Sequence, residues 1–297
     1  MPLQLGIVLN EEIEAYHACA SISHSRLHYF AENFPSDYHA KYIARTAEKE
    51  EHKPHFDFGH AVEARCISEA EFRARVAVSP YDEFRTNESK AWRRSQWAAG
   101  RVVMKSEEAA LVQKCFEAIM RNRDARAIIE GATPQVTFRA QVGAICLQAR
   151  SDFWAPAGVR LPSDGGETGP LDADLKTTDS LHDFEPQAIN LGYDHAAVFY
   201  RAVIRLVLAR LGGVPEDELP FVRRLFIAVD KSQFPQCTVY SPTDELLDIA
   251  EREVMGTPDE PGLLPRLISH YVTNNWPGAP ERGVIKAPYW KRKKANA

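Results

Sequence analysis

A chain of 297 residues, 44% hydrophobic and 26% charged, has the composition of an ordinary folded protein and can fill one large core or two modest ones. A formal net charge of -5 leaves room for a nucleic-acid partner only where cations gather locally. Five cysteines, at 19, 66, 115, 146 and 237, with no Cys-x-x-Cys pair, argue against a disulfide framework, a zinc finger or a four-cysteine iron–sulfur site.

In chain order, residues 11–50 are polar and helical in pattern. Ser23 or Ser25 can cap a helix whose apolar face is Ile22, Leu27 and Phe30, and Pro35 ends it. DFGHAVEARCI predicts a helix opened by Gly59, with Glu63 one turn along. FRARVAV alternates, as a strand does, and KAWRRSQWAAGR is a basic, aromatic surface loop or short helix. Residues 106–129 predict one helix, capped by Ser106. The period then changes: QVTFRA, GAICLQARSDFWAP and LDADLKTT are successive strands, with a Gly/Pro-rich loop over 155–169. A long amphipathic helix follows from Glu185 to Leu211. Its AAVFYRAVIRLVLARL run is interrupted by arginines and falls short of the roughly 20 apolar residues a bilayer requires. RRLFIAVDKS and CTVYS form a strand pair, TDELLDIAEREVM is the last helix, and the tail from Asn274 is irregular and ends basic. The fold class is therefore α/β of mixed α+β type: a central mixed β-sheet flanked by helices. Residues 1–50 form an N-terminal helical attachment to a domain over 51–297. With no membrane segment and no basic signal region, a cytoplasmic location is expected.

The segment LDADLKTT carries the chemistry. In a strand, Asp172, Asp174 and Lys176 share one face while Leu175 turns to the core. Carboxylates suit hard cations such as Mg²⁺ and Mn²⁺, and an adjacent amine can orient a water or offset charge on a phosphate. Asp152, ending the QARSD strand, would converge on Asp174 if the two strands pair, and Glu63 is a third carboxylate. An isolated Asp-x-Lys is equally what a solvated strand displays, so the residues alone leave both readings open.

These pieces together resemble the RecE-like phage-type exonucleases of the PD-(D/E)XK superfamily. ISHSRLHYFAENFPSDY, FDFGHAVEA, NRDARAIIEGATPQVTFRA, ARSDFWAP and DADLKTTDSLHDF follow the order of that family's motifs over most of the chain, the Asp-x-Lys-Thr-Thr strand being the most specific. The resemblance implies a restriction-endonuclease-like core and metal-dependent hydrolysis of linear double-stranded DNA, from 5′ to 3′, in phage-type recombination. It assigns Asp152, Asp174, Lys176 and Glu63 to catalysis. Mg²⁺ (or Mn²⁺) would sit on Asp152, Asp174, the Leu175 carbonyl and Glu63. It further implies a homo-oligomer working beside a single-strand annealing protein. Two departures stand out: Gln135 occupies the place of a glutamate common in the family, and Ala196 that of a glutamine, although Tyr200 is retained. They motivate two alternatives: a catalytically weakened DNA-binding or assembly protein on the same fold, or a structure-selective endonuclease. For DNA contact the expected residues are Arg93 and Arg94 with Trp92 and Trp97, Arg150, and the terminal Lys291, Arg292, Lys293 and Lys294.

Overall fold

The structure, a computed structural model, describes residues 4–47, 54–163 and 169–282. It opens with β1 (Gly6–Val8), α1 (Ile13–Ala18), α2 (His24–Glu32) and α3 (Pro35–Tyr38), the last running into a π-helical turn over His39–Ile43. Then come α4 (Pro54–Ile67), α5 (Glu69–Arg75), β2 (Val76–Val78), α6 (Asn87–Ala98), β3 (Val102–Met104), α7 (Ser106–Arg121) and α8 (Arg123–Gly131). The central sheet continues through β4 (Thr133–Val142), β5 (Ile145–Ala155) and β6 (Leu171–Thr178). After α9 (Phe184–Asn190) and α10 (Tyr193–Gly212) follow β7 (Arg223–Asp230), β8 (Cys237–Tyr240), α11 (Asp244–Val254) and α12 (Leu263–Thr273).

Six strands form one mixed sheet in the order β1-β4-β5-β6-β7-β8, antiparallel throughout except for the parallel pair β6–β7. That parallel pair demands a crossover, which α9 and α10 supply. The β4–β5 hairpin closes in two residues, Val142 facing Ile145, with Gly143 at φ +58, a conformation that favours glycine. β1 adds an edge strand on β4, so the N-terminal segment shares the sheet's hydrogen bonds. A separate parallel pair, β2–β3, stands apart.

Each sheet face is closed by helices. Leu171, Ala173, Phe153, Leu225, Ile227 and Val229 pack with residues of α4, α7 and α8, among them Val62, Val112 and Ile119. On the opposite face, Val136, Phe138, Leu147 and Trp154 pack with Leu27 and Phe30 of α2, Phe199, Val203 and Ile204 of α10, and Leu267 of α12. Each fully buried Phe, Leu or Ile contributes about 2 kcal/mol of hydrophobic stabilisation, so both faces hold the sheet rigid around whatever it carries.

Several expected elements differ. FRARVAV is not a strand from its start: Ser68 caps α5 by accepting from Glu71 N at 2.9 Å, and only Val76–Val78 extend. KAWRRSQWAAGR lies largely in α6. The helix expected over 106–129 breaks at Asn122, whose Oδ1 accepts from Asp124 N and Ala125 N at 3.1 and 3.0 Å to start α8. The residue before the helix is Lys105 and not Ser106, its N–H bound by Glu108 at 2.7 Å. The helix expected over 185–211 also breaks, at Gly192 with φ +67, where an added Cβ would stand 3.0 Å from His28 Nδ1. A further helix, α12, follows TDELLDIAEREVM, and β5 runs three residues past Asp152. Among the described residues, no helix is long and apolar enough to cross a membrane.

Candidate active site

The β5–β6 ladder runs through Ala155↔Leu171, Trp154↔Asp172 and Phe153↔Ala173 and then stops. Continued by one step, that register sets Asp152 opposite Asp174. Instead of extending the ladder, Asp152 Oδ2 accepts from the Leu175 backbone N–H at 2.8 Å. A side-chain carboxylate thus takes the place of a backbone carbonyl, and the two strands fork there. Its other neighbour, β4, is irregular at the same level: Gln135 has φ +53, a left-handed conformation rare for a residue with a side chain and absent from ordinary strands. Strict alternation also fails in β5. Ala149 and Trp154 share the α10 face, five residues apart, while Phe153 and Ala155 belong to the α4 face. The irregularity in both strands falls where Asp152 sits.

β6 alternates cleanly. Leu171 and Ala173 enter the α4 core with Leu175 against it, which turns Asp172, Asp174 and Lys176 to the other face. There Arg224 of β7 faces Asp172 in the parallel register. Arg224 Nη1 pairs with Asp172 Oδ2, and its Nη2 lies 3.2 Å from Asp174 Oδ1. Lys176 Nζ lies 2.5 Å from Asp174 Oδ2, so cations cover both oxygens of Asp174. Ser151 Oγ donates to the remaining oxygen of Asp172, which is fully buried. The Arg224 guanidinium rests 3.9 Å from the ring centre of Tyr200, on α10, and Lys176 Nζ 5.0 Å from that of Tyr193.

Asp152 and Asp174 diverge electrostatically. Burial pushes the Asp152 carboxyl well above the usual carboxylate range, and the charges of Asp174 and Glu63 push the same way. Burial also acts on Asp174, but Lys176 and Arg224 together outweigh it and hold that carboxyl below its ordinary value. Burial alone would lower Lys176, yet Asp174, Tyr193 and Asp152 reverse this and raise it. His24 of α2, within the field of Arg224 and Lys176, is driven down to about 3 by burial first and Arg224 second, so it is a neutral imidazole.

At the rim, Glu63 on α4 accepts from Gln135 Nε2 at 2.8 Å. Gln135 Oε1 accepts in turn from Arg75 Nη2 at 2.8 Å and Arg150 Nη2 at 3.2 Å. The charge of Glu63 acts on Asp152, but Glu63, Asp152 and Asp174 do not form a trio with ligand atoms all within 4.8 Å of one another. Arg150 is buried, and its Nη1 donates to the Glu11 carbonyl at 2.6 Å, so it braces the N-terminal segment against β5. Glu11 also binds Arg139 through both its oxygens, at 2.7 and 2.8 Å. Ala196 is buried on α10.

Of the expected DNA-contacting residues, Trp92, Arg93, Arg94 and Trp97 lie on α6. Arg93 is held between rings, 4.6 Å from Phe84 and 4.7 Å from Trp97, while Arg94 and Trp97 are exposed. Lys291, Arg292, Lys293 and Lys294 lie outside the described residues.

Two features escaped the sequence reading. Arg224 binds two of the three aspartates; the signal was a pair of adjacent arginines opening an apolar strand, one of which has to face inward. The other is a group of metal-ligating type, Asp194 and His195 on α10 with Glu253 on α11, whose ligand atoms all lie within 4.8 Å of one another. No local spacing marks it, because its members are 58 residues apart.

No family model matches the chain, and no curated protein matches it. Its fold is shared with the crystal structure of a "putative exonuclease" from Eubacterium rectale. The TM-score is 0.59 at 14% identity, and the match covers 98% of this chain and 99% of that one. The chain therefore has a mixed α/β fold, a central sheet flanked by helices, that a distant nuclease-like protein also adopts.

Proposed function

We propose that this chain is a divalent-metal-dependent deoxyribonuclease of the PD-(D/E)XK type that digests linear duplex DNA from its ends, 5′ to 3′. The observation that carries the reading is the fork between β5 and β6: Asp152 inserted at the Leu175 N–H, opposite Asp174, with Lys176 Nζ 2.5 Å from Asp174. The match in fold to a protein titled an exonuclease supports it, as does the order of the motifs along the chain.

The donor set suits a hard cation. Two carboxylates on neighbouring strands, with the Leu175 carbonyl between them, are what Mg²⁺ or Mn²⁺ takes from a protein, with water and phosphate oxygens completing the shell. The strained electrostatics of Asp152, raised by burial and by two neighbouring carboxylates, is the imbalance a dication relieves. When bound, such an ion polarises the scissile phosphate and lowers the pKa of a water. The chain's own residues do the rest. Lys176, kept protonated by Asp174, stabilises negative charge building on the phosphate and orients the attacking water; it is not the base that takes its proton. Arg224 holds Asp174 in place from below, and Tyr193 limits where the Lys176 amine can swing. Glu63 and Gln135 border the approach. Exposed Arg94 and Trp97 on α6 would meet DNA backbone and bases, and Arg93 would act by fixing the ring cluster. In the family pattern the enzyme would act as a homo-oligomer beside a single-strand annealing protein.

A second reading, a DNA-binding protein with little turnover, is favoured by one observation. Gln135 is neutral and its amide is bound to Glu63, Arg75 and Arg150, so position 135 brings no carboxylate to the fork from β4. One assay separates the readings. Purified protein with Mg²⁺ is given end-labelled linear duplex and covalently closed circles. Expected is shortening of the linear DNA alone, slowed about 100- to 1,000-fold or more in Asp174→Asn and Lys176→Ala. Equal digestion by both variants would exclude this site, and salt-sensitive binding without turnover in Mg²⁺ or Mn²⁺ would establish the second reading. Cutting of closed circles at the same rate would mark an endonuclease.

A further inference from the structure

The group at the α10–α11 joint differs from the fork in having no built-in countercharge. Asp194 is 7% exposed, and its Oδ1 is shut off from solvent without a hydrogen-bond partner among the described residues. His195 Nε2 lies 2.7 Å from Glu253 Oε2, and one ligand atom each of Asp194, His195 and Glu253 lie within 4.8 Å of one another. No lysine or arginine pairs with Asp194 or Glu253 among the described residues. Burying a carboxylate oxygen with nothing to bind it is costly, because its lost hydration is not replaced. A fold that keeps such a carboxylate beside an imidazole and a second carboxylate has the donor arrangement of a cation site.

We propose that Asp194, His195 and Glu253 bind a zinc ion that ties the first turn of α10 to α11, separately from the fork. The imidazole selects the metal: Mg²⁺ and Ca²⁺ take oxygen donors, whereas zinc accepts a mixture of imidazole and carboxylate. Two carboxylates and one neutral imidazole balance the dication and leave one position for water. Ligands bonded to zinc at about 2.1 Å stand about 3.4 Å from one another in a tetrahedron, so the three atoms reach bonding positions by side-chain adjustment alone. Zinc takes the imidazole through an unprotonated ring nitrogen, and any proton held on that nitrogen leaves to solvent as the metal binds. On one side Asp194 borders a cavity of about 620 Å³ between α9, α10, β8 and α11, and on the other Glu253 is open to solvent. Tyr193, which lies under Lys176, is the residue before Asp194, so the ion would steady the turn that positions the Lys176 amine.

The test uses the full chain stripped with a chelator and titrated with Zn²⁺ by calorimetry, then with Co²⁺ for its visible spectrum. Expected is one equivalent bound at micromolar concentration or tighter, with Co²⁺ bands of an N/O site that lack thiolate charge transfer. Binding should weaken more than about 100-fold in Glu253→Gln and in His195→Ala and persist in Asp152→Asn. Glu253 has a largely exposed side chain, so Glu253→Gln keeps the fold and its circular dichroism verifies this. Absence of Zn²⁺ binding, or binding equal in wild type and Glu253→Gln, would overturn the proposal and leave His195 and Glu253 as a simple ion pair. A thiolate band would do the same, by pointing to the cysteines.

Discussion

The protein holds two gatherings of carboxylates on either side of Tyr193, and they are built on opposite plans. At the β5–β6 fork, Asp172 and Asp174 meet Arg224 and Lys176, so these two carboxylates have their countercharge before any ligand arrives and Asp152 alone is left for a cation. At the α10–α11 joint, Asp194 and Glu253 have one imidazole between them. The difference shows how one fold can carry charge in two ways. A site in the middle of a sheet has to survive burial on its own, so the sheet provides the cations from neighbouring strands. A site between two helices, with Asp194 buried but Glu253 open to solvent, can be left short of cations, because an ion can enter later.

The largest effect should come from breaking the balance at the fork. Arg224→Met keeps the bulk and the contact with Tyr200 but strips Asp172 and half of Asp174 of their countercharge. Removing one partner of a buried pair costs about 3–5 kcal/mol, and urea unfolding at neutral pH should report a loss of that size. Adding Asp172→Asn to Arg224→Met should recover part of it. Glu253→Gln at the joint, without added metal, should change stability by less than about 0.5 kcal/mol. If the two single variants lose equal stability, the contrast between the centres is wrong.

Asp152 offers a smaller effect with a distinctive pH dependence. Its carboxyl is raised in the folded state, so the folded protein holds that proton to higher pH than the unfolded chain does. The stability this lends is present at low pH and is lost as pH rises from the ordinary carboxylate range through the raised value. Asn mimics the protonated acid and can still accept the Leu175 N–H. Asp152→Asn should therefore be more stable than wild type at pH 8, on the order of 1 kcal/mol, and equal to it at the acid end. Thermal melts across pH measure the gap, and Mg²⁺ should narrow it by binding only the wild-type folded state. Asp174 has the opposite sign: held below its ordinary value, it stabilises above that range and stops doing so under strong acid.

The parts of this site that the sequence revealed are those governed by local periodicity. Alternation in LDADLKTT is enough to put Asp174 and Lys176 on one face and Leu175 on the other, because a strand has period two whatever surrounds it. The succession of three strands, crossover and two strands was legible for the same reason, and it yields the mixed sheet. Asp152 was legible as a residue but not as a geometry. Its position depends on a left-handed Gln135 one strand away and on a break in β5 alternation, neither of which has a local signature. Arg224 is opposite Asp172 only through the parallel register of β7, which is set by packing against residues distant in sequence. FRARVAV misled because alternating arginines also fit a capped helix, and Ser68 decides in favour of the helix.

Gln135→Glu sharpens the comparison at the smallest scale. Gln135 Nε2 donates to Glu63 at 2.8 Å, so a second carboxylate there trades a hydrogen bond for a like-charge contact. The arginines on its other oxygen, Arg75 and Arg150, offset part of this by gaining an anion. The net cost without metal should stay near 1 kcal/mol or below, read as a small drop in Tm. With Mg²⁺ the drop should shrink or reverse, because the new carboxylate adds negative charge beside Asp152. If cutting of linear DNA rises in the same variant, the amide at 135 is what restrains the enzyme. If Mg²⁺ leaves the Tm difference untouched, position 135 lies outside the reach of the ion, and the fork works with the two strand aspartates alone.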